Sequence, residues 1–166
     1  MEPIPASLLV LLWSALCAVQ DARQGRISLW LLYSAIAVAG LHLFLFGHSL
    51  LGGSVADVAV AVLLALVLTL PGYVRRQFGG GDVKILLALA LVGTTLFTLS
   101  VFAISAVTLA LWAAARSTLW PRLPSSVQER LAALGPDRSK LAYAPFLLLA
   151  VIAALPLARL PLLAFA

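Results

Sequence analysis

The sequence predicts an all-α, polytopic membrane bundle of about six transmembrane helices. Residues are 63% apolar and only 10% charged; long apolar runs recur near 4–19, 28–46, 51–72, 83–97, 99–115 and 141–163; and the positive charges gather between alternate runs. A soluble domain carries about a quarter charged residues, so this chain lacks the polar coat its apolar surface would need in water. Lipid removes that need. At roughly 20 residues per span, six spans consume most of the 166 residues. One membrane-embedded domain over 1–166 is expected, with its main polar loop at about 116–140.

The first run starts at Met1-Glu2, without a basic leader region or a small-x-small cleavage site after it, so it reads as a retained span. A polar loop, Gln20 to Arg26, separates it from the second run, and a turn at Gly47-His48 separates the second from the third. Tyr73 to Asp82 forms the next loop, with Gly79-Gly80-Gly81 at its end. Val92-Gly93-Thr94-Thr95 supplies a tight turn that divides 83–115 into two shortened spans. Within 116–140, Ser126-Val127-Gln128-Glu129 fits a capping box and Gly135 a helix stop. Val127, Leu131 and Leu134 at helical spacing then predict a short interfacial helix. Pro145, Pro156 and Pro161 predict a kinked or broken last span.

Charge placement fixes an orientation. Of the eleven Lys and Arg residues, ten fall in alternate connections: Arg23 and Arg26; Arg75, Arg76 and Lys84; Arg116, Arg122, Arg130, Arg138 and Lys140. Positive residues mark the cytoplasmic side, so the net charge of +5 is a topology signal, and lipid rather than nucleic acid is the expected partner. Trp30, Tyr73, Trp112, Trp120 and Tyr143 lie near the same boundary, as an aromatic belt does. The lone Cys17 excludes an internal disulfide or a multi-cysteine zinc site. No metal and no cofactor is expected.

Ionisable groups inside a membrane are costly and usually functional. Glu2 is terminal, and Glu129 and Asp137 lie among basic loop residues, which leaves Asp21, Asp57 and Asp82. Asp21 closes the first span and Asp82 opens the fourth, at one boundary. Asp57 begins the third span from its far end, roughly 20 Å away along the helix, where it reads as a helix-packing or interfacial polar group. Two carboxylates brought together hold one shared proton, because like charges a few ångströms apart do not both ionise readily. Such a pair hydrolyses peptides: the ionised acid takes a proton from water and the protonated acid donates to the carbonyl and then to the leaving amine. Gly79, Gly80 and Gly81 before Asp82 supply conformational freedom and room for a substrate main chain. The plainer alternative is an interhelical turn with Asp82 as N-cap. Lys84, Arg23 and Arg26 orient the acids, contact substrate or simply anchor the cytoplasmic edge; His42 and His48 lie toward the other face.

Gly79-Gly80-Gly81-Asp82-Val83-Lys84 resembles the G-x-G-D-[VL]-K signature of the type IV prepilin peptidases, aspartyl proteases of the bacterial inner membrane. Asp21, Arg26 and Ile27 resemble the context of that family's other aspartate, with Ser28-Leu29 where the family has Pro-Asn. Ala144-Pro145-Phe146 resembles a late proline-aromatic element of the family, and the order of elements agrees over about 15–150. The resemblance implies a multi-pass inner-membrane endopeptidase that removes leaders from prepilin or pseudopilin substrates at the cytoplasmic face, with Asp21 and Asp82 as the catalytic pair. The long forms of the family carry an N-terminal cysteine zinc domain tied to methylation of the trimmed pilin. This chain looks like the short, peptidase-only form of Flp-type tight-adherence pili, without methyltransferase activity. Family leaders are basic, so the basic loops are expected to serve topology and lipid contact. The competing functions are a small proton- or ion-coupled transporter using the same two aspartates, and a purely structural membrane subunit.

Overall fold

The computed structural model describes residues 4–75, 79–131, 134–135 and 142–158. The helices are α1 (Ile4–Gln24), α2 (Leu29–Phe46), α3 (Val55–Val74), α4 (Gly80–Val92), α5 (Thr95–Leu119), α6 (Ser125–Arg130) and α7 (Ala144–Ala158), with a 3-10 turn at Trp120–Arg122 between α5 and α6. The bundle is all-helical, as the composition requires. Among the described residues four helices, α1, α2, α3 and α5, are long and apolar enough to cross a membrane; α7 is shorter.

The remaining apolar helix, α4, has 13 residues, about 20 Å of rise against a hydrocarbon core of about 30 Å. It survives because it is the bundle's axis rather than its wall. Ile85, Leu86, Ala88, Leu89 and Ala90 are all fully buried, and α2, α3 and α5 pack around it. A helix apolar on every side belongs inside such a shell. The outer helices instead turn Leu12, Leu16, Leu41, Phe44, Leu63, Val67 and Leu111 outward, the pattern expected where lipid is the solvent.

Helix α7 packs against both α1 and α5, and α3 against α4 and α5. Helices α1 and α2 are consecutive in the chain yet flank an open groove of about 1010 Å³. The Trp13 indole N–H spans the divide to the Leu31 carbonyl at 3.0 Å, and Gln20 Oε1 accepts from the Ser28 N–H at 2.9 Å.

Several boundaries differ from the sequence expectations for local reasons. Helix α1 runs on through Gln24, into the expected polar loop. Its stop is Gly25, at φ +64°, whose N–H closes on the Asp21 carbonyl at 2.7 Å; chain geometry rather than the end of apolarity terminates it. The break between α4 and α5 falls at Gly93-Thr94, within the expected Val92–Thr95 turn and before the end of the apolar run near 83–97, since Thr94 caps α5 by accepting from the Phe97 N–H. The capping box expected at Ser126–Glu129 does not form. Helix α6 begins at Ser125 after Pro124, and Gln128 is spent on the preceding turn, donating to the Trp120 and Leu123 carbonyls at 3.1 and 2.8 Å. Leu131 and Leu134 lie beyond α6 and pack with Trp112, Trp120, Ala142 and Phe146. Helix α7 is continuous through Pro145, which sits in its first turn where proline costs little, and contains Pro156; Pro161 lies outside the described residues.

At the end of the bundle opposite Asp21, the 47–54 turn is tied to the end of α4 by the Leu51 N–H to the Val92 carbonyl at 2.9 Å. Gly93 is sterically required there: a Cβ would fall 2.3 Å from Phe97 Cδ1, whereas a Cβ on Gly40, within α2, meets nothing within 4 Å. Gly93→Ala should therefore lower stability by about 1–3 kcal/mol through overpacking, while Gly40→Ala should be neutral or gain up to about 1 kcal/mol. Unfolding midpoints of the two variants in detergent check this pair.

Candidate active site

Asp21 lies in the last turn of α1 and is 5% exposed. Its Oδ2 accepts the backbone N–H of Ala144 at 2.9 Å, and the Tyr143 N–H is also directed to it. Ala144 is the first residue of α7, so its N–H is one of the donors a helix leaves without an internal partner. Asp21 thus supplies an acceptor and a negative charge to the positive end of α7. On α1 it faces α7, away from the side formed by Leu12, Leu16, Val19 and Arg23, which lines the open groove.

Asp82 is at the third position of α4, partly buried. Its Oδ2 accepts the Gly79 N–H at 2.7 Å, one half of a capping box; Gly79 is the N-cap and has no side chain with which to return the bond. Asp82 therefore is not the N-cap itself, which corrects the turn-and-cap alternative in detail while keeping its principle. The glycine triplet does not use left-handed backbone: Gly79 has φ −79°, and the positive-φ glycines are Gly25, Gly47 and Gly52. What the triplet supplies is space. A Cβ on Gly81 would meet nothing within 4 Å, and one on Gly79 would make ordinary contact with Asp82 Oδ2 at 3.4 Å.

The two aspartates lie at one end of the bundle, Asp21 in the last turn of α1 and Asp82 in the first turn of α4. Asp21 takes the backbone N–H groups of residues 143 and 144. Tyr143 is 2% exposed. It is not part of an exposed belt, unlike Trp30 at 87%, and its hydroxyl bonds that of Ser105 on α5. Sequence reasoning passed over both. The available signal was adjacency to Ala144-Pro145-Phe146 together with the rule that a buried tyrosine hydroxyl needs a partner.

Lys84 Nζ donates to the Tyr33 hydroxyl at 3.0 Å, linking α4 to α2. Arg23 and Arg26 are exposed. His42 and His48 lie at the opposite end, where His42 Nδ1 meets the His48 carbonyl. Asp57 is there too, and its job is packing: Oδ1 accepts the Thr95 N–H at 3.1 Å while Thr95 Oγ1 donates to the Asp57 carbonyl at 2.9 Å. That joins the starts of α3 and α5 and leaves Asp57 remote from the other pair.

Fold and site define a polytopic membrane protein with two aspartates drawn to one end of its bundle, and the family comparison makes it a membrane peptidase. The chain belongs to the type IV leader peptidase family, whose model matches residues 8–114. That stretch contains Asp21, the glycine triplet, Asp82 and Ser105 and ends before Tyr143. Neither the comparison with curated proteins nor that with solved structures returned a match.

Asp57→Ala should cost about 1–2 kcal/mol, the loss of a helix-capping acceptor, and leave peptide cleavage per folded molecule unchanged. Thermal unfolding alongside a cleavage assay separates the two effects.

Proposed function

We infer that this protein is an aspartic endopeptidase that removes leader peptides from prepilin-like substrates at the cytoplasmic face of the bacterial inner membrane. The observation that carries the inference is the placement of Asp21 and Asp82 at one end of the bundle in a chain of the leader peptidase family.

The chemistry needs one proton between the two acids. The ionised carboxylate removes a proton from a water molecule as its oxygen adds to the scissile carbonyl carbon, and the protonated carboxyl gives its proton to the carbonyl oxygen. The tetrahedral diol then collapses: the C–N bond breaks, a proton passes to the departing amine, and the pair again holds one proton. The pair titrates as a unit, so the roles belong to the dyad. The open side of Gly81 suits an extended main chain approaching Asp82. Lys84, held through Tyr33, is placed to fix the first turn of α4, and Arg26 to meet the substrate or lipid headgroups at the rim.

In this reading the protein serves Flp-type pili as a peptidase, with a prepilin or pseudopilin as partner and membrane lipid as solvent. Ion-coupled transport by the same acids is the weaker reading, since the family match runs against it.

Expression with a candidate prepilin in a peptidase-deficient bacterium tests the function directly. Leader removal, followed by mass spectrometry, should fall by at least about 10²–10⁴-fold in Asp21→Asn and in Asp82→Asn, with both variants still inserted. Retained cleavage in both would sink the aspartic mechanism. Orientation is tested separately in a Cys17→Ala background, since Cys17 is fully buried. Arg26→Cys should react with a membrane-impermeant maleimide only from the cytoplasmic side, and His48→Cys only from the other.

A further inference from the structure

Every polar group of Tyr143 is committed. Its N–H is turned to the Asp21 carboxylate. Its carbonyl accepts the N–H groups of Phe146 and Leu147 at 3.1 and 3.2 Å, starting α7. Its hydroxyl bonds Ser105 Oγ, and Ser105 in turn donates to the Phe102 carbonyl at 3.0 Å. A hydroxyl has one proton, so with the serine proton assigned to Phe102 the tyrosine is the donor to Ser105. The phenol is thereby locked in one orientation against α5, with both residues almost wholly buried. On either side, Ala142 and Ala144 are 4% and 1% exposed, so the segment has little freedom to shift.

We propose that the Ser105–Tyr143 pair is a positioning device for the catalytic dyad: by pinning residues 142–144 to α5, it holds the backbone donors on Asp21. The proposal rests on the aspartic-peptidase reading and adds two residues to it. Neither residue touches the reacting atoms. Tyr143 acts through Asp21, and Ser105 acts through Tyr143. The physical reason for such a device lies in the chain distances. Asp21 and Ala144 are 123 positions apart, and a dyad contributed by two helices keeps its geometry only if a third element fixes the gap. Side-chain hydrogen bonds in a low-dielectric interior are well suited to this, since leaving either partner unsatisfied is costly.

The test uses the full-length protein in detergent or nanodiscs, with Tyr143→Phe, Ser105→Ala and the double variant, each normalised to folded protein. Tyr143→Phe keeps the ring and removes only the hydroxyl. The expected result is a fall in kcat of about tenfold to a hundredfold with KM little changed, as for a small misplacement of reacting groups, together with a displaced pH profile of kcat. Ser105→Ala should move both in the same direction, and the double variant should be no worse than Tyr143→Phe alone, because the two residues act as one unit. Wild-type kcat and pH profile per folded molecule in both single variants would reduce the pair to α5–α7 packing and overturn the proposal. Additive losses would overturn it as well, by showing that the tyrosine does not work through the serine. Asp21→Asn and Asp82→Asn run in parallel separate the two levels. If those remain inactive while Tyr143→Phe is normal, only the positioning role fails; if they cleave, the dyad fails and the positioning role with it.

Discussion

The fold depends on what a carboxylate does at the edge of lipid, and the answer is the same three times. Asp21 accepts from the first N–H of α7, Asp82 sits in the first turn of α4, and Asp57 accepts from the first N–H of α5. A helix start leaves N–H donors without internal acceptors and carries a partial positive charge; a membrane offers little water to satisfy either. Pairing the two problems solves both. The Asp21 contact is the most consequential of the three, because it joins the first helix to the last and so closes the bundle around α4.

Closure explains why a 13-residue helix stands at the centre. Helix α4 need not reach both membrane faces, since its ends are received by protein: the 47–54 turn at Val92 and the residues around Asp82 at the other end. Tyr143 meets α5 at Ser105, and from Ser105 to Leu119 the helix rises a further ~20 Å. At that end of the bundle Asp21 is buried and Asp82 partly buried.

The architecture was legible because lipid solvation imposes a strong and simple rule on composition. Asp21 and Asp82 could be assigned to one end, and Asp57 to the other, from span order alone, and the glycines before Asp82 marked a helix start. What composition could not show was how a helix ends when geometry rather than polarity ends it, as at Gly25, or how a capping residue is diverted, as Gln128 is to the Trp120 turn. Of the two properties read from the glycine triplet, conformational freedom and room, left-handed backbone is not used there. Tyr143 was the largest omission. An aromatic residue near a boundary reads as an anchor, and only its burial against Ser105 reveals a different role, which depends on a contact between residues 38 positions apart.

The kind of partner each acid has bears on what it can do. Asp57 is held by an N–H and answers with its own carbonyl to the same threonine, a closed, reciprocal arrangement that resembles a staple. Asp21 and Asp82 accept from the backbone N–H groups of Ala144 and Gly79. The Asp21 contact instead runs from the first helix to α7, so the setting of residues 142–144 matters to it more than any local turn does.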